Sequence, residues 1–184
     1  MRNMARLATV VGTGTLLAAT LSPLAANADV QRNQIQTLQY LVTVDGIYQH
    51  SYTVHPDPCG PDFTGTGQYP PAPTAPIFNE SFSGSVAGAP APGVALNYTD
   101  TYFDPNTGQP TGYTYSFSGT FTDAAGDFSG TATDNNGTHT ETGEITGSSS
   151  TNYRNHGEYV NSVPASQRAA AAQSCVGQPV QSHG

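Results

Sequence analysis

The sequence predicts an all-β protein: a small antiparallel barrel or barrel-like roll of about 7–8 strands with one C-terminal helix, a β-sandwich being the alternative. Three observations carry this. Short runs alternate apolar and polar residues with a period of two. Tight-turn dipeptides, Asp45-Gly46 and Asn136-Gly137 above all, separate those runs. Glycines share a face with phenylalanines in Phe63-Thr64-Gly65-Thr66, in Phe82-Ser83-Gly84-Ser85 and through the stretch Tyr113 to Gly147. Consecutive hairpins favour a barrel over a sandwich, and strand glycines permit the sharp coiling that closure needs.

The first residues are set apart before any element is counted. Arg2 and Arg6 precede an apolar run, Leu7 to Leu24, that ends at Ala26-Asn27-Ala28, so residues 1–28 read as a secretory signal peptide. Residues 29–184 are then one secreted domain, and no later segment is apolar enough to span a membrane as a helix. All 13 acidic residues lie in it, against Arg32, Arg154 and Arg168 alone, and the chain has no Lys. A field of that sign repels phosphate backbones, which disfavours nucleic acid as a partner. A monomer is expected.

From Asp29 the chain can open as a short polar helix with Ile35, Leu38 and Val42 near helical spacing, but Tyr40 to Val44 is equally good strand material. Asp45-Gly46 turns the chain into a return strand, Ile47 to Val54, which ends at Pro56 and Pro58 because proline cannot donate to a ladder. Cys59-Gly60-Pro61 is a turn, and in the next strand, Asp62 to Tyr69, Phe63, Gly65 and Gly67 share one face. A proline-rich linker, Pro70 to Pro76, leads to a strand at Ile77 to Val86. After a loop at Gly88 to Gly93, the alternation places Val94, Leu96, Tyr98, Asp100 and Tyr102 on one face. A long turn from Asp104 to Gly112 precedes the central strands.

Turn chemistry gives those strands a register. A four-residue loop, Asp123 to Gly126, sets Phe121 opposite Phe128 and Gly119 opposite Gly130. A two-residue Asn136-Gly137 loop sets Thr131 opposite Thr142, Gly130 opposite Gly143 and Phe128 opposite Ile145. After Gly147 a Ser-rich loop leads to Tyr153–Val160, and Pro164 opens an Ala-rich helix at about 164–174. Cys59 and Cys175 are the only cysteines, and in an exported chain they are expected to form one disulfide. Two isolated cysteines lack the paired spacing of a zinc site, so no metal is expected there.

Asn155-His156-Gly157-Glu158-Tyr159-Val160, followed by a helix and then Ser174-Cys175-Val176-Gly177-Gln178-Pro179-Val180, resembles the C-terminal part of uncharacterised secreted proteins of actinobacteria. The resemblance covers the end of the chain only. It implies an exported, disulfide-bonded β protein and brings no catalytic residues.

The register gathers Tyr115, Asp134, His139 and Glu141 on the interior face at the Asn136-Gly137 end, above Phe117. In a barrel that is the mouth, where a few convergent polar groups over an aromatic interior suit a small ligand. Solvated side chains beside a turn explain the same residues more plainly. The outer face carries Thr120, Thr131, Thr133, Thr140 and Thr142, an array that can match a polysaccharide or ice surface, or simply stabilise the sheet as cross-strand threonine pairs. Tyr48, Tyr52, Tyr98, Tyr102, Tyr113 and Tyr115 can line a cavity or fill a core. His50 and His55 fall on opposite faces of one strand, Asp104 to Gly108 lacks the later Glu of a calcium loop, and no nucleotide or hydrolase motif occurs, so no cofactor is expected.

The expected function is therefore a secreted, non-enzymatic binding protein with a small, partly apolar ligand in the barrel. The alternative is an extracellular surface or partner protein using the threonine face. A hydrolase or isomerase built on Asp134, His139 and Glu141 ranks third.

Overall fold

The computed structural model describes residues 34–70, 76–163, 165 and 168–177; the expected signal peptide lies outside them. Eight strands run in order: β1 (Gln34–Val44), β2 (Tyr48–Pro56), β3 (Asp62–Tyr69), β4 (Phe78–Val86), β5 (Ala95–Phe103), β6 (Pro110–Phe121), β7 (Phe128–Asp134) and β8 (Gly137–Asn152). Each pairs antiparallel with the next, and β8 returns to β1, so the sheet closes into an up-and-down barrel. Among the described residues two short helices follow, α1 (His156–Ser162) and α2 (Arg168–Ala171).

The helical spacing near the start of the domain does not prevail. Leu38, Tyr40 and Val42 alternate inward along β1, between β2 and β8. A period of two lets this segment satisfy its backbone groups on both sides and close the barrel, which a helix there could not do. Asp45 and Gly46 take positive φ values of 51° and 69°, as the predicted turn requires.

The β6–β7 register is the predicted one, with Phe121 opposite Phe128 and Gly119 opposite Gly130. The β7–β8 register differs by two residues, since Asp134 faces Gly137 and the loop is Asn135-Asn136. The cause is Asp134, whose Oδ1 accepts hydrogen bonds from the backbone N–H of Asn136 at 2.6 Å and of Gly137 at 3.0 Å. That side-chain cap holds the turn without a positive φ at either asparagine. A shift of two preserves which face each residue takes but changes its partners: Gly130 faces Glu141, and Phe128 faces Gly143.

The interior glycines are where rings lie down. A Cβ on Gly65 would collide with Phe82, one on Gly143 with Phe128, and one on Gly119 or Gly130 with Phe117. Eight strands leave an interior just wide enough for side chains to fill or for one small ligand. Here Phe82, Tyr98, Phe117 and Phe128 fill the middle, with Tyr98 stacked on Phe117 at 4.8 Å between ring centroids.

β8 runs on through Ser148–Asn152 against the start of β1, where a loop was expected. Within the helix expected at about 164–174 the described helical residues are those of α2, and α1 lies ahead of it. Asn155 starts α1, accepting from the Glu158 N–H at 3.0 Å, a signal already present in the sequence. Cys59 and Cys175 are bonded as expected, with their Cα atoms 5.6 Å apart. The two blocks of the C-terminal motif meet, since the His156 N–H donates to the Gly177 carbonyl at 3.0 Å and His156 Nδ1 lies 2.7 Å from the Val176 carbonyl.

The antiparallel meander gives the barrel two different ends. One carries the disulfide, the helices and the β2–β3, β4–β5 and β6–β7 loops. The other, the rim, carries the β1–β2, β3–β4, β5–β6 and β7–β8 connections. Among the described residues no helix is long and apolar enough to cross a membrane.

Candidate functional site

A pocket of about 230 Å³ opens at the rim. Its wall is Val44, Tyr48, His50, Tyr69, Tyr102, Tyr113, Tyr115, Ala132, Asp134 and His139. Strand alternation delivers these side chains: Tyr48 and His50 from β2, Tyr102 from β5, Tyr113 and Tyr115 from β6, Ala132 and Asp134 from β7.

Beneath the pocket lies a buried polar layer. Glu80, Asp100 and Glu141 are 2 %, 0 % and 1 % exposed, inside a barrel whose other buried residues are mostly aromatic. Glu80 Oε1 lies 2.8 Å from His50 Nδ1, and the Tyr52 hydroxyl donates to Asp100 Oδ2 at 3.0 Å. Tyr52 also hydrogen-bonds the Tyr115 hydroxyl, and Tyr98 donates to Glu141. One oxygen of each acid, Glu80 Oε2, Asp100 Oδ1 and Glu141 Oε2, meets no donor among the described residues.

Three ionised carboxylates so placed would be costly, and the electrostatics respond accordingly. Burial pushes Glu80 up to about 7, Asp100 up to about 8 and Glu141 up to about 8, with the neighbouring acids adding to the rise of the last two. The two acids also act on each other, Asp100 lowering Glu80 and Glu80 raising Asp100, so Glu80 ionises first. Burial drives His50 the other way, down to about 4, so its ring is neutral at pH 7.

His50 stacks on Tyr69 at 4.5 Å, which fixes its ring plane. With Nδ1 engaged by Glu80, Nε2 is the nitrogen left for the pocket. The Tyr102 ring lies 6.3 Å from His50, edge-on, and its hydroxyl has no hydrogen-bond partner among the described residues. Among the described residues the wall therefore offers a free nitrogen at His50, unpaired hydroxyls at Tyr48, Tyr69 and Tyr102, and several ring faces.

No protein-family model, curated protein or solved structure matches the chain. Its chemistry must be argued from the pocket itself.

The predicted rim residues come together only in part. Tyr115, Asp134 and His139 line the pocket, whereas Glu141 lies beneath it against Tyr98, and Phe117 belongs to the ring layer, 2 % exposed. Asp134 does not face His139 across the ladder. Ala132 does, and the Asp134 carboxylate lies 3.5 Å from His139 Nε2. His139 Nδ1 sits 2.7 Å from Asp45, whose other oxygen accepts the Thr140 N–H at 2.9 Å, so this histidine ties the β1–β2 turn to β8. The Asp45 hydrogen bond raises its pKa. The Tyr113 hydroxyl, with the turn N–H groups, holds Asp134 down to about 2. Both groups build the rim.

His50, Glu80 and Asp100 are the site residues least evident from turn chemistry and register. A signal for them existed, since a period of two puts His50 between Tyr48 and Tyr52, Glu80 between Phe78 and Phe82, and Asp100 between Tyr98 and Tyr102. A single ionisable residue in an otherwise aromatic face is what marks this layer.

On the outer surface, Thr131 faces Thr140, Ser129 faces Thr142, and Thr133 faces Thr138. All five singled-out threonines point outward, Thr120 half-buried and Thr131, Thr133, Thr140 and Thr142 exposed. The pattern is wider than β6–β8: Thr64, Ser83, Thr99, Ser116, Thr133 and Thr138 form one row from β3 to β8.

Proposed function

We propose that the protein is an exported small-molecule-binding protein whose ligand enters the rim pocket and stacks on its tyrosines. The observation that carries this is the pocket wall, where the Tyr102 hydroxyl and His50 Nε2 are both unpaired beside open ring faces. Pockets for drug-sized ligands occupy about 300–1,000 Å³, so a pocket of about 230 Å³ fits a smaller molecule, of one ring. The acids below it and the absence of Lys and Arg from its wall select against anions. The expected signal peptide and the disulfide favour an extracellular setting.

Amide and side-chain chemical shifts, recorded while single-ring alcohols, amines and ketones are titrated in, test this reading. Shifts confined to Tyr48, His50, Tyr69, Tyr102 and Tyr113 are expected. Shifts spread over the outer strands, or none at all, would remove it.

A second reading keeps the outer face in view, because the Ser/Thr row crosses six strands without a charged residue. Substituting Thr131→Lys and Thr142→Lys should abolish retention on a polysaccharide or ice surface while leaving the fold intact.

A further inference from the structure

Resting on the small-ligand reading, we propose that the rim pocket moves a proton on its ligand: His50 Nε2 takes a hydrogen from the carbon beside a carbonyl while the Tyr102 O–H receives the developing enolate oxygen. The substrate class is a small, uncharged, enolisable ketone. His50 is the base and Tyr102 the donor, and Glu80 positions the base through Nδ1.

His50 and Glu80 form a buried pair. A histidine whose one nitrogen is held by a carboxylate and whose other is free matches the arrangement in which a general base is oriented by a third group. The Tyr69 stack prevents the ring from turning, and only 4 % of the His50 side chain is exposed, so bulk water does not compete for Nε2. Tyr102 stands opposite Glu80 on the adjoining strand and lines the same pocket as His50. A hydroxyl donor beside a buried base can stabilise developing oxyanion charge.

The step balances without a co-reactant. The C–H bond breaks, an N–H bond forms on Nε2, and the electron pair moves onto the carbonyl oxygen. The imidazolium then returns its proton, to the same carbon in exchange or to the far end of a dienolate in double-bond migration.

The proton on Glu80 decides the state of the base. With Glu80 ionised, Nδ1–H donates to Oε1 and Nε2 is a lone pair; with Glu80 protonated, the carboxyl donates to Nδ1 and Nε2 carries hydrogen. The groups that face this pair are Asp100, Tyr52, Tyr69 and Tyr102, with Glu141 acting through its charge. Activity should rise as pH passes through about 7, where Glu80 ionises.

Cyclohex-3-enone is the probe, since its conversion to cyclohex-2-enone is read by the absorbance of the conjugated product, with the protein purified from culture medium. Conversion above the buffer rate, reduced at least tenfold in both His50→Gln and Tyr102→Phe, is expected. In Glu80→Gln the rise near pH 7 should vanish. Tyr102→Phe removes an unpaired hydroxyl only, so it serves even where His50→Gln does not fold. Shifts at the pocket without conversion would overturn the proton transfer and leave the binding reading standing. Neither shifts nor conversion would overturn both.

Discussion

At the scale of single residues, the interior shows why glycine and aromatic residues occur together. A Cβ on Gly119 would press on the Phe117 ring and on backbone atoms of β7, including the Gly130 Cα at 2.9 Å, and a backbone cannot step aside as a side chain can. Gly119→Ala should therefore destabilise the barrel by about 1–3 kcal/mol in chemical denaturation. Gly147→Ala is the control, because its Cβ would meet only the end of Gln39, with Oε1 at 3.3 Å. A change within about 0.5 kcal/mol is expected there. These glycines were legible as a shared face, since a period of two needs no knowledge of partners. The rings they accommodate were not, because the ring over each glycine comes from another position, as Phe82 does over Gly65.

At the scale of elements, the strands and most turns could be read from local chemistry, and the errors arose where a side chain outcompeted a dipeptide rule. Asn136-Gly137 is a good turn signal, yet Asp134 caps the backbone first, which moves the loop by one residue and the pairing by two. Asp134→Ala should remove that cap, with the greatest loss of hydrogen-exchange protection at Asn136 to Thr138. If protection there is unchanged, the cap does not set the turn. The site suffered little from this error because parity survived, so Asp134 and His139 stayed at the rim while their direct pairing was lost. At the other end, the Cys59–Cys175 bond ties the α1–α2 segment to the β2–β3 loop. In the chain-entropy account its removal costs about 2–5 kcal/mol, and Cys59→Ser with Cys175→Ser should show this as a lower denaturation midpoint.

At the scale of the whole molecule, the barrel carries three acids in its interior, and its stability must follow their titration. Glu80, Asp100 and Glu141 hold protons more tightly folded than unfolded, their folded values near 7–8 standing above unfolded values of about 4. Between those limits the folded chain carries more protons, so stability falls as pH rises. His50 acts oppositely between about 4 and its unfolded value of about 6.5, offsetting part of the effect there. Above pH 6.5 the acids, each with a slope of at most about 1.4 kcal/mol per pH unit, act in the same direction as His139, whose pKa the Asp45 hydrogen bond raises. Thermal unfolding should therefore come several degrees earlier at pH 8.5 than at pH 6 (about 2–4 °C per kcal/mol for a chain of this size), and Glu141→Gln should flatten the difference. A midpoint that does not fall across this range would mean that the acids are already ionised in the folded barrel at pH 6.

Closure, antiparallel order and an aromatic interior follow from pattern alone. The division of that interior into a packed middle and an open rim depends on how rings from different strands share space, which no single stretch encodes. The central claim is that the open rim holds a small molecule. Native mass spectrometry of the protein purified from its host, beside an Ala132→Leu variant that fills the pocket from its wall, tests it most directly. A single small adduct on the native protein, absent from the variant, is the predicted result; a native protein without an adduct, or the same adduct on both, would contradict it.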